Sequence, residues 1–377
     1  MTQEKPLDFL LLGPAFPYRG GISTTQQALA ESLMAHGYTV KLFTFNQLYP
    51  SFLFPGKTQF TTATTNPSLS IERKIHAYHP LQWKRMAKII NELAPKAVIF
   101  RYWTPFLAPC WNAIAKRLNS KIKKVGWVDN WKAHEPKPWD GFLTQRFEKS
   151  MDSFTTLSLA IATEIKAEST KKVWGKMHPI EDNLPKKIVQ KEARKKLHFP
   201  EEKTALLFFG LIRPYKGLTL LLKALKQHPK KHLYIVGECY MKWEKYQQLI
   251  EDLKIEKQIT VINRFVSQEE AAIYFSAVDA TVLPYTSATQ SGVLALGYYY
   301  ETPLVVTNHP GLSQPIKEDK TGVICPAKVA EIQKAITAVT ETKANQGFRH
   351  NLNQTKQRYS WANYSQEWAK FVLDETT

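Results

Sequence analysis

Twice along this chain an apolar run ends in glycine, a loop follows, and a helical segment then leads into a second strand-like run. Residues 5–12 run into Gly13-Pro14, and after the loop 15–21 residues 22–36 place Ala28, Leu29, Leu33 and Met34 at helical spacing. His36-Gly37 stops that helix, and residues 38–45 form the next strand. Strand, helix and strand in that order close as a right-handed parallel unit, so the first half is predicted to be α/β. It continues with strand 97–100, helix 108–118, strand 124–128 and helix 141–152, with no repeat of sequence.

The second alternation runs through strand 205–210, helix 217–227, strand 232–237, helix 243–253 and strand 259–262. Helix 268–276, strand 280–283, helix 292–300 and strand 304–307 extend it. Between the two series, residues 177–204 carry proline punctuation and a lysine-rich helix, which marks a boundary. A chain of 377 residues also exceeds what one core serves. The expected division is a domain over residues 1–184 and another over 185–357, hinged near 184–187. A terminal helix in 358–377, capped by Ser360, is expected to pack back on the first domain.

A hydrophobic content of 44% with 22% charged residues excludes a disordered or fibrous chain. Apolar runs such as 293–300 fall well short of the roughly 20 residues that cross a bilayer, and 9–12 is too brief for a signal peptide. Three scattered cysteines, Cys110, Cys239 and Cys325, give no disulfide framework and are expected to be buried thiols in a reducing cytoplasm. The formal charge is +18, and residues 57–149 alone hold 17 Lys and Arg against 6 Asp and Glu. Such a surplus suits phosphorylated substrates, polyanions or an anionic membrane surface. Residues 71–93 place Arg73, Lys74, Lys84, Arg85 and Lys88 among apolar side chains, broken by Pro80, as an amphipathic basic surface for peripheral attachment to a membrane's inner face. No helix-turn-helix, zinc finger or RNA-recognition motif is present, so no nucleic-acid partner is expected.

Two stretches carry chemistry. Arg213 and Lys216 lie in the loop between a strand ending at Gly210 and a helix starting near Gly217, where open α/β sheets bind ligands. With the positive end of the helix they make a diphosphate site. Thr289, Ser291, Gly292 and Val293 open the helix 292–300, and hydroxyls and free amides there suit a phosphate. No Asp-x-Asp pair or spaced histidines suggest a metal, so no metal or cofactor is expected and fixed cations must neutralise a leaving group.

These stretches resemble the second domain of family 4 glycosyltransferases, and the resemblance extends over nearly the whole chain, best over residues 205–325. It implies the GT-B fold, two Rossmann-like domains whose parallel sheets face a central cleft. Gly20 and Gly21 stand where that family places a Gly-Gly loop against the donor phosphates, and Arg213 and Lys216 match its diphosphate-binding cations. The family commonly has two glutamates separated by seven residues, the second holding the ribose; here Ala288 and Leu296 stand at those places, as in a subset with a Thr-Gln-Ser-Gly loop. His134, in a segment after a first-domain strand, resembles the family's histidine facing the donor sugar. The implied activity is transfer of a sugar from a nucleoside-diphosphate sugar to a glycan or lipid-linked acceptor, with retention, in polysaccharide or lipopolysaccharide biosynthesis. Catalysis would fall to His134, Arg213 and Lys216. A nucleotide-sugar epimerase of the same fold and a non-catalytic nucleotide-sugar-binding protein are the alternatives.

Overall fold

The computed structural model describes residues 5–18, 20–48, 60, 66–132, 137–180, 184–239, 241–288 and 291–374. As expected, the fold is α/β and built on two parallel sheets. The chain divides into two compact units, Met1–Lys176 with Trp361–Thr377, and Met177–Ser360.

The first unit's sheet contains β1 (Phe9–Leu12), β2 (Val40–Gln47), β3 (Ile71–His76), β4 (Ala97–Tyr102), β5 (Lys123–Val128), β6 (Ser153–Thr156) and β7 (Lys172–Gly175) in the order β3-β2-β1-β4-β5-β6-β7. The second unit's contains β8 (Thr204–Phe209), β9 (Lys231–Val236), β10 (Ile259–Ile262), β11 (Ala280–Leu283), β12 (Leu304–Thr307) and β13 (Gly322–Cys325), ordered β10-β9-β8-β11-β12-β13.

Both sheets are buried on two faces, which is why their inner strands read as continuous apolar runs rather than alternating ones. Phe9 and Leu11 of β1 enter one core while Leu10 and Leu12 enter the other. In β8, Ala205 and Leu207 enter one core and Leu206 and Phe208 the other. In each sheet the first strand pairs with the fourth, β1 with β4 and β8 with β11, so the winding reverses there. That reversal opens a crevice at the carboxyl ends of the strands.

The segment 71–93 is divided at Pro80 into two pieces, as expected, and only the second is helical. Its first part is edge strand β3, and helix Pro80–Leu93 follows with Pro80 at its first turn, where the missing N–H costs nothing. Strands β6, β7 and β13, each four residues long, lie beyond the elements expected from sequence. Of the cysteines, Cys110 and Cys325 are buried as expected, whereas Cys239 is only partly covered.

Helix Trp361–Leu373 belongs to the first unit and packs along helix Gly21–Ala35. Its Ser365 Oγ lies 2.8 Å from Ser32 Oγ, and the Trp368 ring meets Phe9 at 5.4 Å and Trp127 at 6.4 Å between centroids. Trp368 is fully buried. Trp368→Ala should therefore cost about 3–5 kcal/mol of stability, read as a lower denaturation midpoint with unchanged secondary structure. A loss below about 1 kcal/mol would show that this helix is not part of the first unit's core.

Candidate functional site

Loops leaving β8 and β11, the adjacent strands at the second unit's winding reversal, carry the residues singled out from sequence. After β8 the chain turns at Gly210 with φ +87° and makes a short 3-10 turn, Pro214–Lys216. It then enters helix Leu218–Leu225 through Gly217 at φ +71°. A side chain at Gly217 would place Cβ 1.9 Å from the Pro284 carbonyl oxygen, so only glycine lets the loop after β8 lie against the loop after β11. Thr286 completes the clasp: its N–H and its hydroxyl both donate to the Tyr215 carbonyl, at 2.7 and 3.1 Å.

This clasp turns Lys216 inward. Its side chain is 8% exposed, and Nζ lies 5.6 Å from the centre of the Tyr285 ring. A Cβ added at Gly210 would sit 3.0 Å from that Nζ and 3.5 Å from Val293 Cγ2, which places the ammonium beside the first turn of helix Gly292–Tyr299. Among the described residues no carboxylate lies within ion-pair distance of it. Burial, with a smaller push from the nearby Arg213 charge, lowers the Lys216 pKa from 10.5 to about 8.

Helix Gly292–Tyr299 brings its amino end to the same place. Ser291 precedes it without capping it, because its hydroxyl faces the Tyr285 hydroxyl at 3.2 Å. No acidic residue occupies the first turn, so nothing on the helix neutralises its positive end. Lys216, Ser291, Gly292 and Val293 all line one pocket of about 440 Å³, whose far walls are apolar and include Phe265 and Leu296. A buried ammonium beside an open helix amino terminus is an arrangement that holds an anion.

Other expected site residues fall elsewhere. Arg213 is exposed and does not line this pocket, although its charge reaches Lys216. Gly20 and Gly21 belong to the first unit, where they open helix Gly21–Ala35; both are exposed, and a Cβ at either would meet nothing within 4 Å. His134 and Thr289 lie outside the described residues. Among the described residues, no group of three or more His, Cys, Asp or Glu is placed to hold a metal ion.

The first unit also contains polar groups that sequence reasoning did not find. Arg101, at the end of β4 and 1% exposed, pairs through Nε and Nη2 with both oxygens of Asp129 just past β5, at 2.6 and 2.5 Å. Nη2 also donates to Thr25 Oγ1 at 3.0 Å, and the guanidinium stacks 3.6 Å from the Trp127 ring centre. The pair fixes the turn that leaves β5 against helix Gly21–Ala35. The one visible signal was an arginine inside an otherwise apolar strand. A hollow of about 850 Å³ adjoins that turn, lined by Trp131, Asp140, Phe142 and Gln145 among others.

Residues 189–359 match the family model described as glycosyl transferases group 1. A GDP-mannose:glycolipid 4-beta-D-mannosyltransferase of Xanthomonas campestris pv. campestris is 34% identical over 103 residues, which is 26% of this chain and 29% of that protein. The chain therefore aligns with less than a third of this curated relative's length. Over nearly the whole chain, the structure is similar to sucrose-phosphate synthase from Thermosynechococcus elongatus, with a TM-score of 0.74 at 14% identity and coverage of 97% and 98%. Anabaena HepE in complex with UDP gives the same TM-score and identity, with coverage of 98% and 100%. These likenesses establish the fold, two parallel-sheet α/β domains of the GT-B type.

The lowered Lys216 pKa makes the site costly to fold around. The group binds fewer protons when folded than unfolded between pH 8 and 10.5, so its burden is full below about pH 8 and fades as pH rises to 10.5. Lys216→Met should raise stability at pH 7 by roughly 1–3 kcal/mol while weakening pyrophosphate binding at least about tenfold. Calorimetry and denaturation on the same variant read both, and a variant that is less stable yet binds pyrophosphate normally would make Lys216 a structural residue.

Proposed function

We propose that the chain transfers a sugar from a nucleoside-diphosphate sugar to a glycan or lipid-linked acceptor. The observation that carries this reading is the convergence of Lys216 and the open end of helix Gly292–Tyr299 on one pocket, inside the stretch that matches glycosyl transferases group 1. A diphosphate supplies the anion that this pocket suits, and apolar walls suit a nucleoside. HepE's complex with UDP and the mannosyltransferase's glycolipid acceptor support the same classes of donor and acceptor.

In this mechanism the acceptor oxygen bonds to the anomeric carbon as the bond from that carbon to the β-phosphate oxygen breaks. The acceptor proton passes to a donor phosphate oxygen, and configuration is retained. Charge grows on the departing diphosphate as the bond lengthens. Lys216, Arg213 and the amides at Gly292 and Val293 then stabilise the transition state more than the ground state. Gly20 and Gly21 contribute backbone groups toward the donor phosphates, Thr289 and Ser291 donate hydroxyl hydrogen bonds to them, and His134 makes a polar contact to the donor sugar. The hollow beside Trp131 offers aromatic faces, carboxylate and amide groups that suit a saccharide acceptor.

The enzyme works at the inner face of a membrane, docked peripherally through helix Pro80–Leu93. That helix buries Met86, Ala87 and Ile90 and exposes Leu81, Lys84, Arg85 and Lys88, an apolar tip with three cations. Among the described residues no helix is long and apolar enough to cross a bilayer.

A screen of nucleotide sugars by thermal shift, followed by transfer assays on lipid-linked and oligosaccharide acceptors, tests the activity. Stabilisation without transfer or donor hydrolysis would reduce the chain to a binding protein, and acceptor-independent conversion of the donor sugar would make it an epimerase. Arg213→Ala should lower turnover on the order of tenfold to a hundredfold, since each charged hydrogen bond contributes roughly 1.5–3 kcal/mol. Near-normal turnover by the folded variant would remove Arg213 from the mechanism. Proton NMR of the product should show the donor's anomeric configuration.

A further inference from the structure

The pocket changes character along helix Gly292–Tyr299. Its polar end is formed by Lys216, Ser291 and the first helical amides. Four residues on, roughly 6 Å along the axis at 1.5 Å per residue, the lining group is Leu296, on the same helix as Val293. Leu184 and Ala271 are also lining residues. In a nucleoside diphosphate the ribose follows its α-phosphate directly, so with phosphates at the helix end it falls within this apolar stretch.

Two carboxylates on the neighbouring elements are engaged elsewhere. Glu301, just past the helix, is bridged by Lys187 and Lys356, each at 2.6 Å. Glu270 pairs with Arg264 and closes a capping box with Ser267 at the start of helix Gln268–Ala277. Among the described residues no Asp or Glu lines the pocket. Neutral polar groups of the lining have partners within the chain: Ser267 Oγ accepts from the Glu270 N–H at 3.2 Å, His178 Nδ1 faces the Pro179 carbonyl at 2.7 Å, the Tyr300 hydroxyl donates to the Pro185 carbonyl at 3.1 Å, the Tyr285 hydroxyl meets Ser291 Oγ at 3.2 Å, and Gln268 is engaged as well.

We propose that this pocket does not read the nucleoside's 2′-hydroxyl and takes 2′-deoxynucleoside diphosphates, and sugars attached to them, on a par with the ribonucleotides. The inference rests on the reading of the pocket as a nucleoside-diphosphate site. A site built to hydrogen-bond a hydroxyl rejects the analogue lacking it, because its own polar group is left unpaired. Where the walls are apolar and the polar groups among them already have partners within the chain, none is left to strand, and the pocket is indifferent to losing a hydroxyl it never paired.

Calorimetric titration of the full chain with UDP, GDP and ADP, each beside its 2′-deoxy counterpart, tests this. For the base that binds best, the two affinities should agree within about threefold. A deoxynucleotide weaker by roughly tenfold or more overturns the inference while leaving the diphosphate site intact. Failure of all six to bind overturns the site reading and this inference together. A second arm uses Leu296→Glu, which brings a carboxylate to the apolar stretch. The folded variant should prefer the ribonucleotide by about tenfold or more, the contribution of a charged hydrogen bond, and an unchanged ratio puts the ribose elsewhere and overturns the assignment.

Discussion

In the second unit, the ammonium of Lys216 is taken out of water beside Tyr285 with no carboxylate in reach among the described residues, and the surrounding loops are arranged to keep it there. Burying an unpaired charge opposes folding, and the usual relief is a partner carboxylate or a move to the surface. Here the 3-10 turn Pro214–Lys216 and the close approach of Gly217 to Pro284 fix the backbone from which the buried side chain starts. What holds it is the packing of the sheet beneath: the apolar cores on both faces of β8 and β11 oppose a local penalty that a solvated loop would release. Strain tolerated by an otherwise well-packed domain is a physical mark of a site shaped for a ligand rather than for stability.

The parallel topology decides where such a site can form. Each sheet is covered on both faces, so neither face is open to a ligand, and the chain is free only at the strand ends. Between β8 and β11 the connections leave in opposite directions, and their loops line the gap from two sides. The same reversal between β1 and β4 gives the first unit a comparable gap, where Arg101 joins the turn after β5 to helix Gly21–Ala35. Both units thus answer one geometric problem with buried cations, but only in the first is the cation paired.

Much of this architecture is legible in the sequence. Helix Gly292–Tyr299 and strand β11 are read from apolar runs bounded by turn residues, and the Arg213-Lys216 loop from its place between a strand and a helix. What periodicity does not carry is direction. Two cations three residues apart look equivalent in one dimension, yet the 3-10 turn buries Lys216 and exposes Arg213. Four-residue strands such as β6, Ser153–Thr156, and β13, Gly322–Cys325, are too short to show a period, and edge strand β3 is masked by Glu72, Arg73 and Lys74. The Arg101–Asp129 pair spans 28 residues and exists only because β4 and β5 are neighbours, which no local pattern records. His134 and Thr289 lie outside the described residues, so the first assignment rests on sequence resemblance and the second on a hydroxyl placed before a helix start.

Helix Gly292–Tyr299 shows how a short element can present a fixed charge. Eight residues form too few turns to be stable alone, so its position comes from packing. Its carboxyl end is anchored where Tyr298 donates to Asp319 at 2.9 Å and meets Thr321 at 2.9 Å, both groups being buried. Next to that anchor, Gly297 lets the helix lie against β12, since a Cβ there would come within 2.8 Å of Leu304 Cδ2. With one end pinned to the sheet, the other cannot retreat from Lys216. The helix's positive end and the ammonium are therefore oriented before any anion arrives. Preorganised dipoles need no reorganisation as charge develops, and that is the condition under which a few peptide groups can contribute measurably to a transition state.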